Sequence, residues 1–135
     1  MPTVTMTVRG SEQLRRNLAR LAGNERRQAQ ADGLEAGARV LETYVKVSIS
    51  GQSPSAPGHP PGLDTVFLRN SIQVDGVTPN QALLTVGAEY GESLEFGTEQ
   101  VAARPYMRPA LDQHEREIVG AIEATVAAFV DGVRA

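Results

Sequence analysis

The chain has 135 residues, a formal net charge of -3 and 41% hydrophobic content, with three Phe, three Tyr and no Trp. This length suits a single domain around one aliphatic core, and the mild acidity argues against a protein whose main work is gripping nucleic acid through its phosphates. Cysteine is absent, which excludes disulfides, thiolate metal sites and a cysteine nucleophile.

Met1 to Gly10 lacks the basic and then apolar pattern of a signal peptide, and no window reaches the length of a transmembrane helix. The chain is therefore expected to stay in the cytoplasm where it is made, with no membrane partner. Thr3 to Arg9 alternates, with Val4, Met6 and Val8 on one side, the period of a half-buried strand. Ser11 is placed to cap a helix, and Leu14, Leu18 and Leu21 follow at helical spacing. The pattern breaks at Gly23-Asn24 and resumes at Leu34, Ala38, Leu41 and Val45. Ser11 to about Val47 thus reads as one long helix bent near Gly23 or as two helices in series; the bend is favoured, because one interior Gly costs only about 1 kcal/mol relative to Ala.

Ser50 to Leu63 (SGQSPSAPGHPPGL) holds four Pro and three Gly, a composition that sustains neither a helix nor an interior strand. The expectation for residues 50–63 is a flexible loop, either a surface connector or a segment that orders only against a neighbouring subunit. One or two helical turns are predicted between Asp64 and Ser71. Two strands follow, Ile72 to Val77 and Ala82 to Ala88, forming with the first strand a small antiparallel sheet. Tyr90 to Phe96 fits a short helix stopped by Gly97. From Pro109 onward, Leu111, Ile118, Ile122, Val126, Phe129 and Val133 recur at helical intervals, and Pro109 suits a first helical turn. The expected fold class is α+β, a small antiparallel sheet packed against two long α-helices in one domain over residues 1–135.

Little in the sequence suggests chemistry. His59 lies in the Pro/Gly loop, and His114 stands beside Glu115 and Glu117 on what reads as a solvated helix face; neither has a ligand or an orienting carboxylate at useful spacing. Glu89, Glu92, Glu95 and Glu99 form an acidic series whose spacing is simply helical. Phosphate loops, nucleophile elbows and dinucleotide fingerprints are missing, so neither an enzyme nor a cofactor is expected. Arg9, Arg15, Arg16, Arg20, Arg26 and Arg27 form a basic run without interleaved aromatics. It is either an ordinary solvated face or a partner for an acidic face on another subunit.

The most informative stretch is Tyr90 to Leu111, YGESLEFGTEQVAARPYMRPAL. Each X-Pro step pushes the preceding residue towards extended geometry, so Arg104 and Arg108 stand on a stiffened segment. Such an Arg-Pro-aromatic segment suits an interface, where Arg and Tyr are favoured and preorganisation reduces the entropy lost on docking. The alternative is a Pro-braced connection that packs only within its own subunit.

Two motifs, Glu95-Phe96-Gly97-Thr98 and Ala103-Arg104-Pro105-Tyr106-Met107-Arg108-Pro109-Ala110, together resemble the siphophage head-tail joining family, also described as tail-completion or neck proteins. Tyr106 stands where that family usually has Phe. Leu68-Arg69-Asn70-Ser71-Ile72 is similar to a second family segment that follows a Pro/Gly-rich loop, although the Thr-Gly usual ahead of it is replaced by Gly62-Leu63-Asp64-Thr65. The resemblance implies a non-enzymatic virion protein that oligomerises, as a hexamer, into a neck ring. A head-closure, stopper or adaptor protein would lie above it and a tail terminator or tail tube protein below, with genomic DNA crossing the lumen without sequence-specific binding. It places Leu68, Arg69, Glu95, Phe96, Gly97, Thr98, Arg104, Pro105, Tyr106 and Arg108 at subunit or partner contacts, with Arg104 and Arg108 pairing carboxylates of this or the next subunit. Two other readings stand beside it: a tail terminator that caps the tube, and a small regulatory or nucleic-acid-binding domain.

Overall fold

The computed structural model describes residues 5–9, 11–49, 57–58, 66–100 and 102–134. Among them the chain is α+β, as its periodicities predict: six helices, two of them long and packed on each other, and a two-stranded antiparallel sheet. It divides into two compact units, one built chiefly from Leu41–Gln73 and Leu84–His114, the other from Met6–Val40, Val74–Leu83 and Glu115–Ala135. No helix is long and apolar enough to cross a membrane among the described residues.

Helix α1 (Glu12–Ala19) begins where Ser11, in extended geometry, accepts the Leu14 N–H at 3.2 Å. The same hydroxyl donates to Glu123 at 3.0 Å. The favoured single bent helix is corrected: α1 ends before Leu21, and α2 (Gly23–Ser48) starts at Gly23, whose φ of +52 no α-helix can carry through. Leu21 turns into a cluster with Ala29 and Val130, with Leu18 and Phe129 packed against it. The carbonyls of Leu18 and Leu21 accept from the Arg26 guanidinium at 3.2 and 3.1 Å. Packing and a side-chain cap therefore reward a break that helix propensity alone would bridge.

The expected first strand is also corrected. Residues 5–9 keep the alternation of exposed and half-buried side chains but have no regular secondary structure, and Thr3 and Val4 lie outside the described residues. Alternation predicts an extended backbone, whereas a strand needs a ladder partner. Of the predicted loop at 50–63 only Pro57 and Gly58 are described; the Gly58 N–H donates to the Ala103 carbonyl at 2.8 Å.

Helix α3 (Val66–Asn70) leads into β1 (Ile72–Asp75), which pairs with β2 (Leu83–Val86). Between the strands Thr78 holds the turn, its N–H donating to the Gln81 carbonyl at 2.7 Å and its hydroxyl accepting from the Asn80 and Gln81 N–H groups. Helix α4 (Gly91–Phe96) stops at Gly97, where φ is +76. The expected final helix is two, α5 (Arg108–Gln113) and α6 (Glu115–Arg134), separated at His114. There the imidazole stacks on Tyr44, with centroids 3.5 Å apart and planes 4° from parallel, in place of the solvated face expected for it.

In the second unit α6 presents Ile118, Ile122 and Val126 to α2 at Gly33 and Gly37. A Cβ at Gly37 would lie 2.8 Å from Ile122 Cγ1, and one at Gly33 3.0 Å from Val126 Cγ2. Ala29, Gly33 and Gly37, spaced by four, are buried on one face of α2, so the two backbones approach closely with large side chains from only one of them.

Candidate subunit interface

Residues 90–100 and 102–111 form a segment locked on itself within the first unit. Its anchor is Gly91, buried where a Cβ would meet Val86 Cγ1 at 2.7 Å and the Tyr106 hydroxyl at 2.9 Å. That space is taken by Tyr106, fully buried, whose hydroxyl donates to the Gly91 carbonyl at 2.8 Å. After the left-handed stop at Gly97 the chain turns back, and the Arg104 N–H donates to the Leu94 carbonyl at 2.6 Å. Glu95, only 5% exposed, accepts through Oε1 from the N–H groups of Tyr106 at 3.2 Å and Met107 at 2.8 Å. These are donors at the entrance to α5 that have no intrahelical carbonyl to bond. One carboxylate thus ties the Glu-Phe-Gly-Thr segment to the Arg-Pro segment with charge-assisted hydrogen bonds.

Burial separates the residues expected at contacts into two sets. Glu95, Tyr106 and Leu68 turn inward, where they fix the shape of the segment from behind. Phe96 is 62% exposed. Arg108 is exposed and reaches Asp112, its Nε lying 3.2 and 3.3 Å from the two carboxylate oxygens. Thr98 is exposed, its hydroxyl accepting from the Gln100 N–H, while Gly97, Pro105, Arg69 and Arg104 are half-buried. The Arg104 guanidinium donates to the Ala102 carbonyl at 3.4 Å. The expected carboxylate partner is therefore found for Arg108 within its own helix.

Comparison with protein-family models, with curated proteins and with solved structures finds no match.

Sequence reasoning missed Ser71. Its hydroxyl donates to the Leu68 carbonyl at 2.7 Å and accepts the Ala88 N–H at 3.1 Å, while its own carbonyl accepts from Gly87 N–H. It fastens the Leu-Arg-Asn-Ser-Ile segment to the strand that leads into α4. A Ser directly after a predicted helical turn was the available signal, since its hydroxyl competes for backbone partners. Beside the loop, Tyr44, Ser48, Gly58, Pro109, Ala110, Gln113 and His114 line a cleft of about 210 Å³. Among the described residues no group of three or more His, Cys, Asp or Glu is arranged to hold a metal ion.

Burial pushes the Tyr106 phenol well above its ordinary value, and the negative charge of Glu95 adds to the shift. A phenol held neutral in the fold, against an unfolded value near 10, contributes stability that is complete below about pH 10 and is lost as pH rises towards the folded value. Tyr106→Phe is expected to cost about 1 kcal/mol at neutral pH through the lost hydrogen bond to Gly91. It should also flatten the alkaline fall in stability above about pH 10. Urea midpoints measured across that range for both proteins check this, and an unchanged alkaline limb in the variant would remove the assignment.

Proposed function

We propose that this chain is a non-enzymatic structural subunit of a tailed-phage neck. Copies close into a hexameric ring, with head-closure or adaptor protein above, tail terminator or tail tube below, and the genome passing through the lumen. The observation that carries this reading is the Glu95 bridge. The two halves of the motif that resembles the joining family are bonded to each other, while Phe96 and Arg108 are left at the surface. A preorganised segment with exposed aromatic and guanidinium groups loses little entropy on docking. Head-to-tail contacts between unlike patches close into a ring when their rotation permits, and permanent interfaces of this kind bury on the order of 2,000 Å² or more.

The test is the pair Arg104→Ala and Arg108→Ala. Exposed ion pairs such as Arg108 with Asp112 are worth about 0–1 kcal/mol, so the doubly substituted chain is expected to fold and yet fail to join heads to tails. Electron microscopy should then show full heads beside separate finished tails. Overlong tails would instead assign the terminator role, and normal infectious particles would refute both.

A further inference from the structure

We infer that the exposed rings of Phe67 and Tyr90, with Glu89 and Glu92 beside them, form a docking face for the arginine-bearing helix α1 of a second copy of this chain. The inference rests on the assembly role proposed above and gives that role a pair of surfaces. Phe67 is 67% exposed and Tyr90 41% exposed, and their rings lie 6.4 Å apart, tilted by 38°. Two large rings adjacent to each other and open to water mark a place where burial remains to be gained. Aromatic groups of this kind anchor protein interfaces. Glu89 and Glu92, both exposed, flank Tyr90 in the sequence and bring negative charge to this part of the surface.

The matching surface lies on α1. Leu14 and Leu18 are half-buried, with Leu18 in the apolar cluster, which leaves Arg15, Arg16 and Arg20 on exposed positions. Arg15 is paired with Glu12, and Arg16 Nε donates to the Glu12 carbonyl at 3.3 Å. A guanidinium has five donors, so each keeps capacity for a further carboxylate. Arginine is also the cation that stacks on aromatic faces while pairing an acid. A ring pair edged with glutamates therefore fits a helix edged with arginines better than it fits another copy of itself, which would oppose Glu89 and Glu92 to their own kind. Because the acidic-aromatic face and the basic helix belong to one chain, the contact joins unlike patches and every copy carries both of them. Like faces repel, which sets the direction.

The experiment is sedimentation of the full chain over a range of concentrations, at low and high salt. The wild type should self-associate, and more weakly in high salt, where charges are screened. Glu89→Arg with Glu92→Arg, and separately Arg16→Glu with Arg20→Glu, should each weaken association about tenfold or more, equivalent to about 1.4 kcal/mol. Mixing the two variants should restore it, because every contact in the mixture again joins opposite charges; restoration also shows that both variants are folded. Phe67→Ser should weaken association with no charge change. Variants that assemble like the wild type would overturn this pairing of surfaces and leave the neck reading standing. A wild type that stays monomeric at every concentration, or mixed variants that do not associate, would also overturn it, whereas the neck role is judged separately by the joining of heads to tails.

Discussion

Glu95→Ala is expected to destabilise the first unit by about 3 kcal/mol, because it strands the buried N–H groups of Tyr106 and Met107 and each such loss costs roughly 1–3 kcal/mol. Both donors lie within 3.2 Å of the same oxygen, and Glu95 is itself buried. Water is therefore poorly placed to replace it. Glu95→Gln retains an acceptor oxygen and loses the charge, so it should cost about half as much. Amide hydrogen exchange gives the local measurement: Tyr106 and Met107 should lose protection in the Ala variant well before the second unit does. A loss below about 1 kcal/mol with both amides still protected would mean that the carboxylate is not what fixes this segment. The same loss would loosen the backbone that sets where Phe96 and Arg108 stand at the surface.

Gly37→Leu should be at least as damaging in the second unit. The Cβ alone would lie 2.8 Å from Ile122 Cγ1, 3.0 Å from its Cδ1 and 3.3 Å from Ile118 Cγ2. The remaining leucine carbons would force α2 and α6 apart, and overpacking of this kind costs about 1–3 kcal/mol or more. Gly37→Ala tests the same contact gently: a gain of about 1 kcal/mol in helix propensity opposes the clash. Trimming the neighbour with Ile122→Val removes the Cδ1 contact at 3.0 Å and leaves a γ carbon at the 2.8 Å position, so it should relieve the clash only in part, a coupling that a double-mutant cycle measures. Gly120, on α6, has open space at its Cβ position, so Gly120→Ala should simply stabilise by about 0.5–1 kcal/mol. Equal effects at positions 37 and 120 in thermal unfolding would show that close helix approach is not what selects glycine at 37.

Local signals were legible from residue order. Ser11 capping α1, Gly97 ending α4, the turn between β1 and β2 and the apolar repeat of α6 each depend on neighbours within a few positions, and each stands where periodicity and turn chemistry predict. The interruption near Gly23 was legible but not that it ends a helix, and the break at His114 was not legible, because both are decided by partners distant in sequence or by packing. Arg26 and the Leu21 cluster end the first helix, and the Tyr44 ring receives the imidazole of His114. The stripe of Ala29, Gly33 and Gly37 was hidden for a related reason: small residues contribute little to an apolar pattern, yet their value lies in what the other helix brings.

The same division holds for the candidate interface. Residue order alone specifies a short helix, a glycine stop and a proline-stiffened entry to another helix in this stretch, because φ restrictions act on the residue itself and its neighbour. Which side chains of that segment look outward is set by long-range packing. Glu95 and Phe96 are adjacent, and one accepts two buried amides while the other faces water. That choice follows from where the backbone of residues 104–107 returns, a long-range closure that no local preference encodes.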